Sequence, residues 1–378
     1  MSGRELANVR ADDQSGGNVG SVPGDATDIT ACLPTLQFES TIPDDHRAYL
    51  GLRARSHAVA ATIAAQAAYF ANVLTEARQA RVNLQYQAKG RAHRLLLDSM
   101  PREPLYIGII GGGRMGCHIA NALLTYGGIR PDEIIISTRR PETLMELQDK
   151  GVRCVGDNAE VAACVHLLFL CILPSQLPTV AEEIKSSLSI QSLVYSILAA
   201  VPIPRLKQLL GFQFVLRPDY QWDSENMDKP WDFSLDMSGT FARLDMVEHT
   251  CPLSFHKTDA VITTDERLAS VYIYAMVNIL THLGLTRSQT LGVIHGVVFG
   301  LNYDEVGDNL KIREEDLTKQ PNPENKSFPI FDLSRVCETE TPLSKCLSNK
   351  EELRQAFVKK YLSIFEEYQF RMKFHLTQ

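Results

Sequence analysis

A run of glycines between an apolar stretch and an amphipathic stretch constrains the fold of this chain most strongly. The sequence GIIGGGRMGCHIANALLTYG occupies residues 108–127, and Gly111, Gly113 and Gly116 match the pattern G-x-G-x-x-G. In a strand–turn–helix unit the first glycine permits a tight turn, and the second lets a pyrophosphate approach the backbone. The third lets the helix pack close to the strand. The stretch therefore predicts a dinucleotide site at a helix N-terminus, and the alternative is a Gly-rich turn that holds no ligand.

The residues after the glycines alternate between short apolar runs and amphipathic stretches. Strands are predicted at LYIGII (105–110), EIIIST (133–138), VRCV (152–155), HLLFLCI (166–172), SLVYSIL (192–198) and FQFVLRP (212–218). A helical pattern separates each strand from the next. This alternation is what a parallel sheet covered on both faces requires. We therefore predict an α/β fold, with a doubly wound parallel sheet of the Rossmann type over residues 104–218.

Four further segments flank this domain. Residues 1–45 are rich in Gly, Ser, Asp and Pro, which predicts a disordered tail. Residues 46–100 are rich in Ala, Leu, Gln and Arg, which predicts a long helical arm that either binds a partner or packs on its own domain. Residues 219–262 show no periodicity and predict an irregular connection, whereas residues 263–378 predict a helical C-terminal domain.

Charge, hydropathy and cysteine usage exclude several classes of protein. The formal net charge of −7 gives no global basic field, so we expect no nucleic-acid partner. No uninterrupted apolar run approaches the roughly 20 residues of a membrane span, so we expect no membrane. The first residues lack the apolar segment of a secretory signal. The eight cysteines include no C-x-x-C pair, which favours reduced thiols over a metal site. These features predict a cytoplasmic protein without a metal.

The end of the second predicted strand indicates which dinucleotide is bound. NAD-binding units usually place Asp or Glu there, but here the strand ends in Ser137, Thr138, Arg139 and Arg140. Two guanidinium groups and two hydroxyls suit a 2′-phosphate through charge-assisted hydrogen bonds. The sequence therefore predicts NADP(H) rather than NAD(H). The alternative is that the two arginines form a solvated surface turn.

At this point the chain resembles a known family, the pyrroline-5-carboxylate reductases, which reduce a cyclic imine to proline with NADP(H). The resemblance spans residues 105–211 and is carried by IGIIGGGRMG, IIISTRRP, GVRCVGDNAEVAACVHLLFLCILP and SLVYSILAAVPIPRLKQLL. A reductase-like group of proteins is similar over the whole chain. The resemblance implies a pyrophosphate cradle at Ile110, Gly111, Gly112, Gly113, Arg114 and Met115, and Gly116 completes the predicted cofactor-binding motif. It implies that Ser137 and Arg139 hold the 2′-phosphate and that Asn158 lies beside the adenosine ribose. It implies that the nicotinamide side is lined by Cys171, Ile172, Leu173, Pro174, Ile197, Leu198 and Ala199.

The chain also departs from the pattern of that family. The usual V-K-P is Ile172-Leu173-Pro174 here, so a cationic side chain is missing near the cofactor. The usual A-A-G-V becomes Ala199-Ala200-Val201, which places a methyl group where the family has glycine. The S-G-x-G-P-A-Y turn becomes the segment 266–272, and the later S-x-P-G-G-T loop has no counterpart that we find.

Two functions follow from these observations. The first is an NADP(H)-dependent oxidoreductase that transfers hydride to or from a C=N or C=O carbon of an unidentified small molecule. We expect it to form a homodimer through its C-terminal helices. The second is a catalytically silent NADP(H)-binding interaction protein. The sequence assigns no catalytic residue, and the candidate proton donors are Tyr220, His249, His256, Ser270, Tyr272, His282 and His295.

Overall fold

The structure is a computed structural model that describes residues 42–88, 102–222, 231–232, 235–257, 260–318 and 326–375. The predicted tail therefore lies almost entirely outside the described residues. The chain divides into two compact units, Met1–Leu50 and Gly51–Gln378. In the first unit the described residues form a 3-10 helix at Asp44–Tyr49. The second unit contains everything that follows.

A parallel sheet forms the centre of the second unit. Its strands are β1 (Ile107–Ile110), β2 (Ile134–Ser137), β3 (Arg153–Val155), β4 (Leu167–Leu170), β5 (Leu193–Ser196) and β6 (Val215–Leu216). Their order is β3-β2-β1-β4-β5-β6, and each neighbouring pair is parallel. The order reverses between β1 and β4, as it does in a Rossmann fold. The predicted fold class is confirmed.

Helices connect the strands and cover both faces of the sheet. They are α2 (Arg114–Thr125), α3 (Met145–Asp149), α4 (Asn158–Cys164), α5 (Leu177–Ile184) and α6 (Ile203–Leu210). The sequence encodes their ends locally. Asp157 accepts hydrogen bonds from two backbone N–H groups of α4, and Gly211 closes α6 in the left-handed conformation. These ends hold the loops at the carboxyl edge of the sheet in place.

The segment predicted as an irregular connection contains short regular elements. β7 (Tyr220–Trp222) pairs antiparallel with β8 (Ile262–Thr264), and α7 (Met237–Phe241) and α8 (Leu244–His249) lie between them in the chain. Each strand has only three residues, and the partners lie some forty residues apart. Local periodicity carries no signal for such a pair.

The described residues after β8 are mainly helical, as predicted. They are α9 (Arg267–His282), α10 (Arg287–Phe299), α11 (Glu314–Leu317), α12 (Leu333–Glu338), α13 (Pro342–Asn349) and α14 (Glu351–His375). Thr286 and Gln289 form a capping box at the start of α10. The apolar side of the last helix faces the core, where Leu353, Phe357 and Tyr361 are fully buried.

The long Ala-rich helix α1 (Leu50–Ala88) is a core element of the protein. Most of its residues from Ala58 to Ala77 are buried, and the Phe70 ring stacks on the Tyr272 ring at 4.5 Å. By length and composition α1 is apolar enough to cross a membrane, although the sequence has no unbroken apolar run of that length. However, 89% of its apolar window is buried inside the protein, as in the core helix of a globular protein. It therefore packs on its own chain, which was the alternative to a partner-binding arm.

One apolar core joins these layers. The same cluster of buried side chains includes Phe70 of α1, Phe169 and Tyr195 of the sheet, Tyr272 of α9 and Phe357 of α14. A second cluster fills the opposite face of the sheet, between the strands and α4, α5 and α6. Residues 51–378 cluster as one compact unit. The domain boundaries predicted from the sequence within this range therefore remain predictions.

Candidate functional site

The three glycines of the motif lie at the turn between β1 and α2, and each has different surroundings there. Gly111 has a φ of +108°, and a Cβ there would lie 2.4 Å from the carbonyl oxygen of Cys171. A Cβ on Gly116 would lie 2.1 Å from the carbonyl oxygen of Gly111. In contrast, a Cβ on Gly113 would meet no atom within 4 Å. The first and third glycines are therefore required by the fold, whereas the second keeps a space open.

The N-terminus of α2 faces that space with free donors. Gly113 is its N-cap and provides no side-chain cap, and the first turn contains no acidic residue. The first hydrogen bond of the helix runs from the N–H of Cys117 to the oxygen of Gly113, at 2.9 Å. The N–H groups of residues 114–116 precede it and have no partner within the helix. Together with the helix dipole, they form a site for an anion such as a pyrophosphate.

A cleft of about 930 Å³ opens at this turn, along the carboxyl edge of the sheet. It brings together most of the predicted residues, namely Ile110, Gly111, Gly112, Gly113, Met115, Ser137, Thr138, Arg139, Arg140, Asn158, Cys171, Ile172, Leu173, Pro174, Ile197 and Ala199. Arg114, Gly116 and Leu198 are not among its lining residues. Gly116 packs against the turn and Leu198 is buried in the core, whereas Arg114 is exposed beside the turn. Contact between these residues and a cofactor remains a prediction.

The end of the cleft at β2 is polar and carries two unpaired positive charges. Arg139 and Arg140 are exposed, and neither has an ion-pair partner among the described residues. Beneath them the buried hydroxyl of Ser137 donates a hydrogen bond to Oδ1 of Asn158, at 2.5 Å. A phosphate at this end would meet two guanidinium groups without breaking an existing ion pair.

The opposite end of the cleft, predicted for the nicotinamide, is apolar. Residues 171–174, Ile197 and Ala199, which follow β4 and β5, line it, and Met115 and Ile63 also line the cleft. Burial raises the pKa of the Cys171 thiol well above its usual range, so this thiol stays protonated at neutral pH. Apart from Cys171, none of these lining residues carries a titratable side chain.

Several lining residues were missed by the sequence analysis. They are Ile63, Thr143, Gly156, Ser175, Gln176, Thr179, Val180 and Glu183. Thr179 and Glu183 lie four residues apart on α5, so the amphipathic pattern of that helix was a usable signal. No local signal marks Ile63, because only tertiary packing brings α1 to the cleft.

The candidate proton donors lie outside the lining of the cleft. The hydroxyls of Tyr195 and Tyr272 lie 2.8 Å apart in the core, and Tyr220 donates to Oε1 of Gln66 on α1 at 3.1 Å. His295 is buried, and Nε2 of its ring accepts a hydrogen bond from the N–H of Ile312 at 3.0 Å. His256 and His282 are exposed, and His249 is half-buried.

Ser270 lines a different cavity, of about 360 Å³, between the start of α9 and α13. Its hydroxyl is buried and finds no hydrogen-bond partner within the described residues. Among the described residues, none of the seven candidates is placed at the nicotinamide end.

The sheet order, the glycine turn and the cleft define a Rossmann-type dinucleotide-binding protein. Comparison with known proteins agrees with this class. A family model described as NADP oxidoreductase coenzyme F420-dependent matches residues 106–200. The pyrroline-5-carboxylate reductase of Escherichia coli is 36% identical over 106 residues, which is 28% of this chain and 39% of that enzyme. A pyrroline-5-carboxylate reductase structure from Coxiella burnetii covers 71% of this chain and 98% of its own, at 18% identity. Its TM-score of 0.29 is too low to support a functional comparison.

The similarity to one relative extends over nearly the whole chain. NADP-dependent oxidoreductase domain-containing protein 1 of Mus musculus is 32% identical over 341 residues, covering 88% of this chain and 92% of the relative. The chain therefore belongs to the NADP-dependent oxidoreductase domain-containing protein 1 family. This membership confirms the resemblance seen in the sequence and NADP(H) as the cofactor class.

Proposed function

We propose that the protein binds NADP(H) along the cleft and transfers hydride to or from a C=N or C=O carbon of a small molecule. The unpaired pair Arg139 and Arg140 at the end of β2 is the observation that carries this proposal. An acidic residue at that point would repel a 2′-phosphate, whereas two free guanidinium groups attract it. Ser137 and Asn158 supply polar groups beneath the arginines.

The residues present fit a dinucleotide along the rest of the cleft. The open space beside Gly113 and the free N–H groups of α2 would hold the pyrophosphate. The apolar residues 171–174, Ile197 and Ala199, with Ile63 and Met115, would exclude water from the nicotinamide ring. When bound, NADPH supplies the hydride, so the protein needs only to orient it and exclude solvent.

A second function, a catalytically silent NADP(H)-binding protein, is favoured by one specific observation. Within the described residues, no polar side chain with a pKa near neutrality lines the nicotinamide end of the cleft. A reductase of imines or carbonyls usually needs a proton donor within hydrogen-bond reach of the substrate. On this proposal the protein would bind NADP(H) and report its presence to a partner.

The first experiment is a titration of the purified protein with NADPH and with NADH. The double variant Arg139→Ala/Arg140→Ala is expected to lose about tenfold or more in NADPH affinity, with little change for NADH. The double variant Arg205→Ala/Arg313→Ala removes two exposed arginines outside the cleft and serves as the control. Equal losses for both nucleotides, or no binding of either, would refute the 2′-phosphate proposal.

The second experiment separates the enzyme from the silent protein. NADPH oxidation is followed by absorbance with a panel of cyclic imines, aldehydes and ketones at saturating cofactor. Turnover that is abolished in the Arg139→Ala/Arg140→Ala variant at low NADPH would support the oxidoreductase. Micromolar NADPH binding without turnover of any class would favour the silent protein.

A further inference from the structure

Glu183 is the only carboxylate among the described residues that line the cleft. It lies on α5, which also presents Thr179 and Val180 to the cleft, and its side chain is exposed. It has no ion-pair partner among the described residues. An isolated acidic group is out of place in a site for a polyanion, since it repels phosphate. Its position therefore requires an explanation other than phosphate binding.

A short chain of hydrogen bonds fixes the orientation of Glu183. The hydroxyl of Ser137, at the end of β2, donates to Oδ1 of Asn158, and Nδ2 of Asn158 donates to Oε2 of Glu183 at 2.6 Å. The two bonds fix which way the Asn158 amide points. They also use only one oxygen of Glu183, so that Oε1 remains able to accept a further hydrogen bond.

This chain of hydrogen bonds joins the end of β2, at the phosphate end, to α5 through residues that line the cleft. In the proposed mode of binding, the 2′-phosphate lies at Arg139 and Arg140, and Asn158 lies beside the adenosine ribose. The purine base is bonded to that ribose, so we expect it beside the lining group that Asn158 contacts. That group is Glu183.

We propose that Glu183 determines purine specificity by accepting a hydrogen bond from the exocyclic amine of adenine. The inference rests on the proposed NADP(H) site. Adenine carries an amine donor at C6, whereas hypoxanthine carries a carbonyl oxygen there. An ionised carboxylate only accepts hydrogen bonds, so it pairs with the amine and opposes the carbonyl. Sites of this kind discriminate by leaving the wrong ligand unpaired against a charged group.

The test compares NADPH with its hypoxanthine analogue, reduced nicotinamide hypoxanthine dinucleotide phosphate, by isothermal titration calorimetry. Wild-type protein is expected to bind NADPH about tenfold or more tightly than the analogue. In Glu183→Gln the amide can also donate a hydrogen bond, so the preference should fall below about threefold or reverse. Glu182→Gln is the matched control, because Glu182 lies next to Glu183 on α5 but pairs with Lys185 outside the cleft.

The outcomes separate this inference from the proposed function. Equal affinity of the wild-type protein for the two nucleotides would overturn the role of Glu183 and leave the NADP(H) site intact. The same conclusion would follow if Glu183→Gln kept the full preference for NADPH. If wild-type protein bound neither nucleotide, the proposed function itself would fail, and the role of Glu183 with it.

Discussion

Gly113 and Gly116 lie three residues apart, yet a methyl group would meet opposite surroundings at the two positions. At Gly113 it would extend into open space, and the backbone has an ordinary extended conformation with φ −82° and ψ −172°. At Gly116 it would collide with the backbone oxygen of Gly111. A substitution at Gly113 therefore tests the space for the ligand, whereas a substitution at Gly116 tests the fold.

We predict that Gly113→Ala leaves the protein as stable as the wild type, or about 0.4–1 kcal/mol more stable, because alanine restricts the unfolded chain. The same variant should lose about tenfold or more in NADPH affinity, since its methyl occupies the space for the pyrophosphate. Gly116→Ala should lower the free energy of unfolding by more than about 3 kcal/mol. Thermal unfolding and NADPH titration of both variants provide the measurements. Unchanged affinity in Gly113→Ala would show that no pyrophosphate lies there.

Ala200 is the only non-glycine residue with a positive φ in the described part of the chain, at +60°. It follows β5, directly after the cleft residue Ala199, at the point where pyrroline-5-carboxylate reductases resemble this chain but carry glycine. The left-handed conformation costs an L-residue about 1–2 kcal/mol. The departure from the pyrroline-5-carboxylate reductase pattern therefore lies in a strained turn, at the end of the cleft that is predicted for the nicotinamide.

Ala200→Gly should raise the free energy of unfolding by about 0.5–1 kcal/mol, because relief of this strain exceeds the added entropy of glycine in the unfolded chain. Ala199→Gly is the matched control, since Ala199 does not have a positive φ and gains only the entropy cost. Urea unfolding at constant pH compares the two variants. A loss of stability in Ala200→Gly as large as that in Ala199→Gly would contradict the prediction.

At the scale of elements, α1 connects the sheet with the C-terminal helices. Tyr69 and Phe70 are both fully buried on it, and their rings contact Tyr195, Tyr272, Phe357 and Tyr361. The many alanines of α1 allow these neighbours to approach closely on all sides. The polar groups within this contact are not equally satisfied. In the part of the chain that the structure describes, the Tyr69 hydroxyl has no hydrogen-bond partner, whereas the Tyr195 and Tyr272 hydroxyls are bonded to each other.

Removing the Tyr69 hydroxyl and removing the Tyr272 hydroxyl should therefore change the stability of the protein in opposite directions. We expect Tyr69→Phe to stabilise the protein by about 1 kcal/mol, because it removes a buried polar group that gains no hydrogen bond in the fold. Tyr272→Phe should destabilise it by about 1 kcal/mol, because it removes the hydrogen bond between the Tyr195 and Tyr272 hydroxyls. Chemical unfolding of the two variants gives the comparison. Destabilisation of similar size in both would indicate that Tyr69 has a partner in solution.

The elements that the sequence predicts are those with a local pattern. Apolar strands alternate with amphipathic helices along the sheet, and Ser137 and Arg139 lie where the second strand ends, whereas Asn158 was indicated by the family resemblance. In contrast, Ile63 enters the cleft only because α1 packs across the sheet, some forty residues before β1 in the chain. The pairing of β7 with β8 is also tertiary. Contacts between distant segments produce no periodicity in the sequence, so sequence patterns do not predict them.

At the scale of the whole molecule, buried neutral histidines make stability depend on pH. Burial and the nearby Arg78 lower the pKa of His166 to about 4, and its Nδ1 accepts a hydrogen bond from the N–H of Tyr106 at 3.1 Å. Burial also lowers the pKa of His295 below its ordinary value. In the unfolded chain both histidines take up a proton below about pH 6.5, so the unfolded state binds more protons than the folded state. Their contribution to stability is complete above pH 6.5 and falls as the pH drops towards 4.

The variant His166→Gln tests this dependence, since glutamine can accept the same hydrogen bond without titrating. We predict that its free energy of unfolding falls less steeply between pH 7 and pH 4.5 than that of the wild type. Urea unfolding at four pH values in this range measures both slopes. His282→Gln is the control, because His282 is exposed and has no ion-pair partner among the described residues. Identical slopes in His166→Gln and the wild type would contradict the lowered pKa.

The continuous core also predicts how the molecule unfolds. Because α1, the sheet and the C-terminal helices share one cluster of buried side chains, none of them can lose its packing alone. We predict a single transition in urea, with coincident curves from far-ultraviolet circular dichroism and from the fluorescence of Trp222 and Trp231. NADPH at 100 times its Kd should stabilise both curves equally, by about 2.7 kcal/mol, if the cofactor binds only the folded state. Two transitions, with NADPH shifting only one, would mean that the Rossmann sheet and the helices unfold as separate domains, with boundaries such as those predicted from the sequence.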